Sequence, residues 1–316
     1  MVMTTTVAYL GPAGTFTEAA LQQFTDRGAF GTADVTPLPC ASPAAALDAI
    51  RDGRAHYAVV AIENSVDGAV TGTYDALVEG DRSVQIFHEL EIEIAFDVMV
   101  RPGTTLADVT TFATHPIAHQ QVRHWLAKHA PHAEFVPASS NAAAAQLVAE
   151  GKADAAAAPG RAAEIFGLDT LAEGVADRND ARTRFVVVGA RDAPTARTGN
   201  DTTLVVFTLP NEPGTLVYAL QEFAQRGVSL SRIASRPNPD KTRTYRFYVD
   251  AVAHIDDLPL AEALRALWLR AEDISFLGSW PSDHEDGRDD ALAADLARLD
   301  EATAWVTAAR TGKADQ

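Results

Sequence analysis

From Val7 to Gly189 short apolar runs alternate with segments whose apolar residues recur three and four positions apart, the pattern of a parallel α/β sheet. Val7–Leu10 reads as a strand, and Gly11-Pro-Ala-Gly14 as the turn into a helix with Ala19, Ala20 and Phe24 inward. Ser42-Pro43 is an N-cap followed by proline at the first helical position; it opens a helix to Arg51 that Asp52-Gly53 stops. Tyr57–Ile62 is then a near-continuous buried strand. The spacing further predicts an extended segment over Ile92–Val100, helices over Pro116–His129 and Ser140–Glu150, a short strand over Asp154–Ala158 and a last strand over Arg184–Gly189.

Shifting the chain by 98 positions lays residues 42–61 over 140–159, with identities that include Ser42/Ser140, Gly53/Gly151 and Ala55/Ala153. Two readings are open, a pair of α/β lobes of related plan with a ligand cleft between them, or the general likeness of any two βα units. After Gly189 the segment ARDAPTARTGND is polar and rich in turn formers, as a linker is. Beyond it the pattern runs strand (203–209), helix (215–226), strands (228–235 and 242–250, joined by the turn Pro237-Asn-Pro-Asp240), helix (258–270) and strand (274–280), the βαββαβ order of a ferredoxin-like unit. The expected domains are thus 4–190, a linker over 191–201, 202–280, and a tail over 281–316. That tail is an acidic loop and a helix on which Leu292, Leu296, Leu299, Val306 and Ala309 share a face, to dock on its own domain or on another subunit.

Composition narrows the partners. Of 316 residues 43 are acidic and 26 basic, a formal charge of −17, which excludes a nucleic-acid or anionic-membrane partner held by surplus Lys and Arg. One cysteine, Cys40, excludes an internal disulfide and multi-cysteine metal sites. The opening MVMTTTVAYL lacks the basic start of a signal peptide, and no apolar run nears the ~18 residues of a spanning helix, so a cytosolic location is expected.

Several chemical motifs are missing: G-x-x-x-x-G-K-S/T, G-x-G-x-x-G and G-x-S-x-G. His115 and His119 stand four apart but lack the glutamate of H-E-x-x-H, so no metal is expected there. What remains are hydroxyl and amide residues where strands end and helices begin. These are Thr15 in GPAGTFT, Glu63-Asn64-Ser65 before Gly68, Thr114-His115-Pro116, and Ser139-Ser140-Asn141. Each is an ordinary cap taken alone; four polar starts together suit a small anion with several oxygens.

Thr183-Arg184-Phe185 before a hydrophobic strand, Glu-Asn-Ser-x-x-Gly after one, Thr-His-Pro opening a helix, and a ferredoxin-like unit with Pro-Gly-Thr-Leu and Ser-Arg-Pro follow in this order over about residues 4–282. In this the chain resembles prephenate dehydratase with a C-terminal ACT domain. The resemblance implies a two-lobed, periplasmic-binding-protein-like α/β catalytic domain with a cleft, followed by a ferredoxin-like ACT domain. It implies decarboxylation and dehydration of prephenate to phenylpyruvate without metal or organic cofactor, feedback control by L-phenylalanine, and a homodimer or homotetramer. By position, Thr183 matches the catalytic threonine, Asn64 and Ser65 the substrate-contacting pair, and Thr114 and Gln121 polar residues of the opposite lobe; Thr15, Glu63, Gly68, His115, Ser140, Arg184 and Phe185 complete the expected substrate site. Asn211, Gly214, Thr215 and Leu216, with Ser235, Arg236 and Pro237, match the effector site. Two positions depart from the family pattern: Ala234 stands where glutamate is usual, and Ile117 where glutamine is. Preference for L-arogenate, and a non-catalytic anion-binding module with an amino-acid sensor, are the alternatives.

Overall fold

The computed structural model describes residues 4–79, 83–178, 180–239, 241, 243–283 and 290–312. Two units divide it, one of residues 1–84 with 89–191, the other of residues 85–88 with 192–316. The first unit is itself two-lobed. Its first lobe contains β1 (Thr4–Leu10), α1 (Phe16–Asp26), β2 (Asp34–Cys40), α2 (Pro43–Arg51), β3 (Tyr57–Asn64), β4 (Gly68–Ala69), α3 (Thr71–Val78) and β5 (Val84–Glu93). The second contains β6 (Asp97–Val100), β7 (Thr111–Thr114), α4 (Pro116–Gln121), α5 (Arg123–His129), β8 (Glu134–Pro137), α6 (Asn141–Ala149), β9 (Ala155–Ala158), α7 (Gly160–Phe166) and β10 (Asp169–Ala172). The chain then returns to the first lobe as β11 (Arg182–Ala190).

The sheets are mixed rather than parallel throughout. In the order β2-β1-β3-β11-β5, β1 lies parallel to β2 and β3, whereas the returning β11 runs antiparallel to β3. In β10-β6-β9-β7-β8, β7 lies parallel to β8 and β9, and β6 runs antiparallel to β9. The strand expected over Ile92–Val100 is two strands in different sheets, because the chain crosses between lobes at Ile94–Phe96. The return crossing lies beside it: Ile94 N–H donates to Ala181 O at 2.7 Å and Val175 N–H to Phe96 O at 2.8 Å. Two adjacent crossings make a hinge, and the two-lobed plan is the periplasmic-binding-protein type.

The helix expected over Pro116–His129 is likewise two. Val122 leaves helical geometry (φ −119°, ψ 10°) with its side chain fully buried in the second lobe's core, and the Asp177 carboxylate caps the new helix by accepting from His124 N–H at 3.1 Å. Strand β2 adds an edge that the apolar pattern did not announce. Its prolines 37 and 39 supply no N–H, which an edge strand tolerates.

Helices α2 and α6 repeat one design. Ser42 and Ser140 accept the N–H three residues on at 3.1 and 3.0 Å, each helix runs nine residues, and Gly53 and Gly151 follow at φ +70° and +72°. Such angles suit glycine, which has no Cβ to clash. The 98-residue likeness is therefore a likeness of structure. The lobe cores gather Val7, Phe24, Val59 and Val187 on one side and Val98, Phe112, Val122 and Ala155 on the other.

The second unit is β12 (Asp201–Thr208), α8 (Thr215–Ala224), β13 (Leu230–Pro237), β14 (Tyr245–Ala251), α9 (Leu258–Trp268), β15 (Asp273–Pro281) and α10 (Asp290–Arg310). Its sheet order β13-β14-β12-β15 is ferredoxin-like, with Phe223, Leu260 and Leu267 of both helices packed on Val205, Phe207 and Val249. The polar segment before β12 is tied to this unit: His254 Nε2 lies 2.9 Å from Thr195 O, and Arg197 pairs with buried Asp257 at 2.6 Å. On α10 Val306 and Trp305 are exposed, as is Ala309, so these positions are not packed on their own domain; the side chains of Leu292 and Leu296, and Asp240 of the expected turn, lie outside the described residues.

Candidate active site

A cavity of about 400 Å³ lies in the cleft between the lobes. Four helix starts face it: α1 through Thr15, Phe16 and Thr17, α3 through Val70 and Thr71, α4 through His115 and Ile117, and α6 through Ser139, Ser140 and Asn141. Three were expected. The fourth expected start, Glu63-Asn64-Ser65, ends a strand, and the following α3 supplies the helix. Leu10, Ile94, Phe96 and Phe185 form apolar wall.

Thr183 and Asn64 face each other across the β3–β11 ladder, with Asn64 Nδ2 donating to Thr183 Oγ1 at 2.9 Å. Asn64 is held by its other end, since Oδ1 accepts Val66 N–H at 2.8 Å and Asp67 N–H at 3.2 Å. The amide orientation is thereby fixed, and Thr183 Oγ1, already an acceptor, keeps its proton for a ligand. Thr183 is 7% exposed, so that donor works where water competes little.

Thr15, Asn64, Gly68, His115, Gln121, Ser140, Thr183 and Phe185 line the cavity; Glu63, Ser65, Thr114 and Arg184 do not. Side chains alternate along β11, so Arg184 points away from Thr183 and Phe185, where it lies 3.5 Å from Glu63 and 3.6 Å from buried Glu89. Ser65 joins the strands, exchanging Ser65 N–H to Arg182 O (2.8 Å) and Arg182 N–H to Ser65 Oγ (2.9 Å). Thr114 is fully buried and donates to Ala157 O at 2.9 Å. Among lining residues the hydroxyls of Thr15 and Ser140 serve as caps. Thr15 Oγ1 also donates to Leu10 O at 2.9 Å, and the Glu18 carboxylate takes Gly14 N–H at 2.7 Å, so the GPAGTFT turn satisfies much of itself.

Burial lowers the His115 pKa, with Asp67 opposing more weakly, so its imidazole is neutral at pH 7. Its Nδ1 accepts Ile117 N–H at 3.3 Å, which leaves the proton on Nε2. His119 stacks on Phe135 at 4.0 Å instead of joining it. Asn141, singled out in the sequence only as part of a polar helix start, gains a specific contact in the structure: Oδ1 accepts His115 N–H at 3.2 Å, leaving Nδ2 without a partner among the described residues. Asp67 emerges only in the structure, accepting from Gln121 Nε2 at 3.0 Å across the cleft. Asp67 and His115 are the titratable side chains of the lining; no Lys or Arg lines it among the described residues.

In the second unit Gly214 starts α8 at φ +86°, and a Cβ there would meet the Tyr218 ring at 3.1 Å. Thr215 Oγ1 donates to Pro210 O at 3.0 Å, and Leu216 packs on the core. Thr208, Arg246 and Arg236 are in register, so the Asn211–Leu216 loop and Ser235–Pro237 lie at one end of the sheet with β14 between them. Ala234 stands opposite buried Tyr248, and on the same face Arg232 grips the buried Asp250 carboxylate at 3.0 and 3.1 Å.

The family model for prephenate dehydratase matches residues 7–193 and that for the ACT domain residues 202–269. A prephenate dehydratase from Corynebacterium glutamicum is 57% identical over 310 residues, 98% of each chain. The structure of a prephenate dehydratase from Arthrobacter aurescens in complex with L-Phe superposes with a TM-score of 0.86 at 41% identity, covering 97% of this chain and 99% of that one. A chain described as GqqA, a quorum-quenching acylase, superposes with a TM-score of 0.76 at 31% identity over 88% and 98%. With its two-lobed unit and ferredoxin-like unit both matched, the chain belongs to the prephenate dehydratase family.

Proposed function

We propose that this chain carries out the family's reaction, decarboxylation and dehydration of prephenate to phenylpyruvate for L-phenylalanine biosynthesis, with Thr183 as its catalytic donor. The observation that supports this reading is Thr183 Oγ1, itself nearly buried, held as an acceptor by Asn64 at 2.9 Å and free to donate into the cleft cavity. In the reaction the bond to the ring carboxylate breaks, its electron pair enters the ring, and the ring C–O bond breaks with departure of the hydroxyl. Prephenate dianion and one proton give phenylpyruvate anion, CO2 and water. Aromatisation supplies the driving force, and the protein must hold the dianion and stabilise the departing oxygen. Threonine is a poor Brønsted acid near pH 7, so Thr183 stabilises the leaving group by hydrogen bonding. Helix starts, Asn141 Nδ2 and His115 Nε2–H are the neutral donors for carboxylates.

An acylase would need a base at its nucleophile. Thr183 Oγ1 instead faces the donor Asn64 Nδ2, which withholds activation. The C-terminal unit binds L-phenylalanine at Asn211, Gly214, Thr215 and Leu216 with Ser235, Arg236 and Pro237. Within one copy these two segments stand two strand spacings apart, about 10 Å. An effector between two copies, with edge strand β13 meeting the loop of its neighbour, brings them together and makes the chain a homodimer or homotetramer. Assembly of this kind, and a cytoplasmic location, belong to the proposal; among the described residues no helix is long and apolar enough to cross a membrane.

One assay tests this reading. The purified chain should convert prephenate to phenylpyruvate without added cofactor, more slowly with L-phenylalanine, and Thr183→Ala should lose about 10²- to 10³-fold in kcat, the usual effect of removing one such donor. Binding of prephenate without product would make the chain a receptor, and faster turnover of L-arogenate would make it an arogenate dehydratase.

A further inference from the structure

We propose that Asp67 is a positioning residue of this site, tying lobe closure to the orientation of Thr183. The inference rests on the dehydratase reading above and adds a residue to it. Gln121 Nε2, from α4 of the second lobe, donates to Asp67 Oδ2 at 3.0 Å; Asp67 N–H donates to Asn64 Oδ1 at 3.2 Å; Asn64 Nδ2 donates to Thr183 Oγ1 at 2.9 Å. Three hydrogen bonds thus run unbroken from one lobe to the catalytic hydroxyl of the other. Were the lobes apart, the turn 65–68 would lose its anchor, and Asn64 would lose part of the grip that fixes its amide.

Asp67 also decides how Gln121 faces the cavity. A carboxylate can only accept, so it holds the Nε2 side of the amide and turns Oε1 away. Gln121 is 8% exposed and Oε1 has no partner among the described residues. Leaving a buried acceptor unpaired is costly, a cost that a ligand donor would remove. The one hydroxyl of prephenate is such a donor. A carboxylate among the lining residues is otherwise hard to reconcile with a dianionic substrate, since like charges repel in a cavity of low polarity. Its service to the Gln121 bridge accounts for its presence.

Steady-state kinetics on folded variants tests the proposal. Asp67→Ala should lower kcat tenfold or more, with KM raised a few-fold, while Asp67→Asn, whose amide oxygen can still accept from Gln121, should keep kcat within about threefold. Gln121→Glu should set two carboxylates against each other and lower kcat/KM at least tenfold. Combining Gln121→Glu with Asp67→Asn restores a donor and an acceptor, and should recover most of that loss. A merely structural role for Asp67 would give no such recovery. Asp67→Ala with kcat and KM within twofold of wild type, or a double variant no better than Gln121→Glu alone, overturns the proposal. An inactive wild-type chain would instead overturn the dehydratase reading. Should Asp67→Ala fail to fold, the Gln121→Glu pair still decides.

Discussion

His115 shows how one residue's surroundings set its charge and hence a property of the whole chain. Burial favours its neutral form in the fold, whereas in the unfolded chain it takes up a proton near its ordinary value of 6.5. The unfolded state therefore binds more protons as pH falls below about 6.5, and the stability contributed by the neutral ring is lost there. His88, lowered by burial as well, adds to the same trend. Melting temperatures measured from pH 8 down to pH 5 should fall on the acid side, and His115→Gln should flatten that fall. A variant with the wild-type slope would place the titration elsewhere. His115 and His119 have the separation of metal ligands on a helix, but the fold puts each to another use: one caps α4 and the other stacks on Phe135.

Among the elements, α2 and α6 offer a comparison that the fold itself supplies. Their caps are alike, so Ser42→Ala and Ser140→Ala should each cost about 1 kcal/mol in denaturant unfolding, the usual worth of a serine N-cap. Only Ser140 lines the cavity, so Ser140→Ala alone should raise KM for prephenate; an equal rise in Ser42→Ala would remove Ser140 from the site. These helices were legible in the sequence because a cap, nine residues and a stopping glycine are local chemistry. The crossing at Ile94–Phe96 was not, because the apolar run is continuous there and only the distant pairing with Ala181 divides it between sheets. Nor was Asp67. Its role depends on a partner 54 positions away that no short motif announces, whereas Asn141 was legible as part of a helix start and only its hold on His115 N–H, 26 positions away, was not. Glu63 and Arg184 failed as lining residues for a simpler reason, the two-residue period of strands, which turns each away from neighbours that do line the cavity.

At the scale of the molecule, a formal charge of −17 stands against a substrate with two negative charges. The excess acid lies mainly in residues 51–100 and 281–316, while residues 101–250 are slightly positive in sum. Proximity could still have placed cations in the cleft, but among the described residues the lining has neither Lys nor Arg. Capture of the dianion must then come from helix starts and neutral donors, which act within a few ångströms inside the cleft. Long-range attraction, which salt screens over about 10 Å at 0.1 M, has no source here and is opposed by the net charge. Raising NaCl from 0.02 to 0.5 M should therefore leave kcat/KM for prephenate level or raise it modestly, as the repulsion is screened. An enzyme that captured its substrate with exposed cations would lose rate over the same range. A fall of tenfold in kcat/KM would mean that cations guide entry, with Arg123, His124 and Arg178, which line a neighbouring pocket beside Gln121, as the groups to remove next.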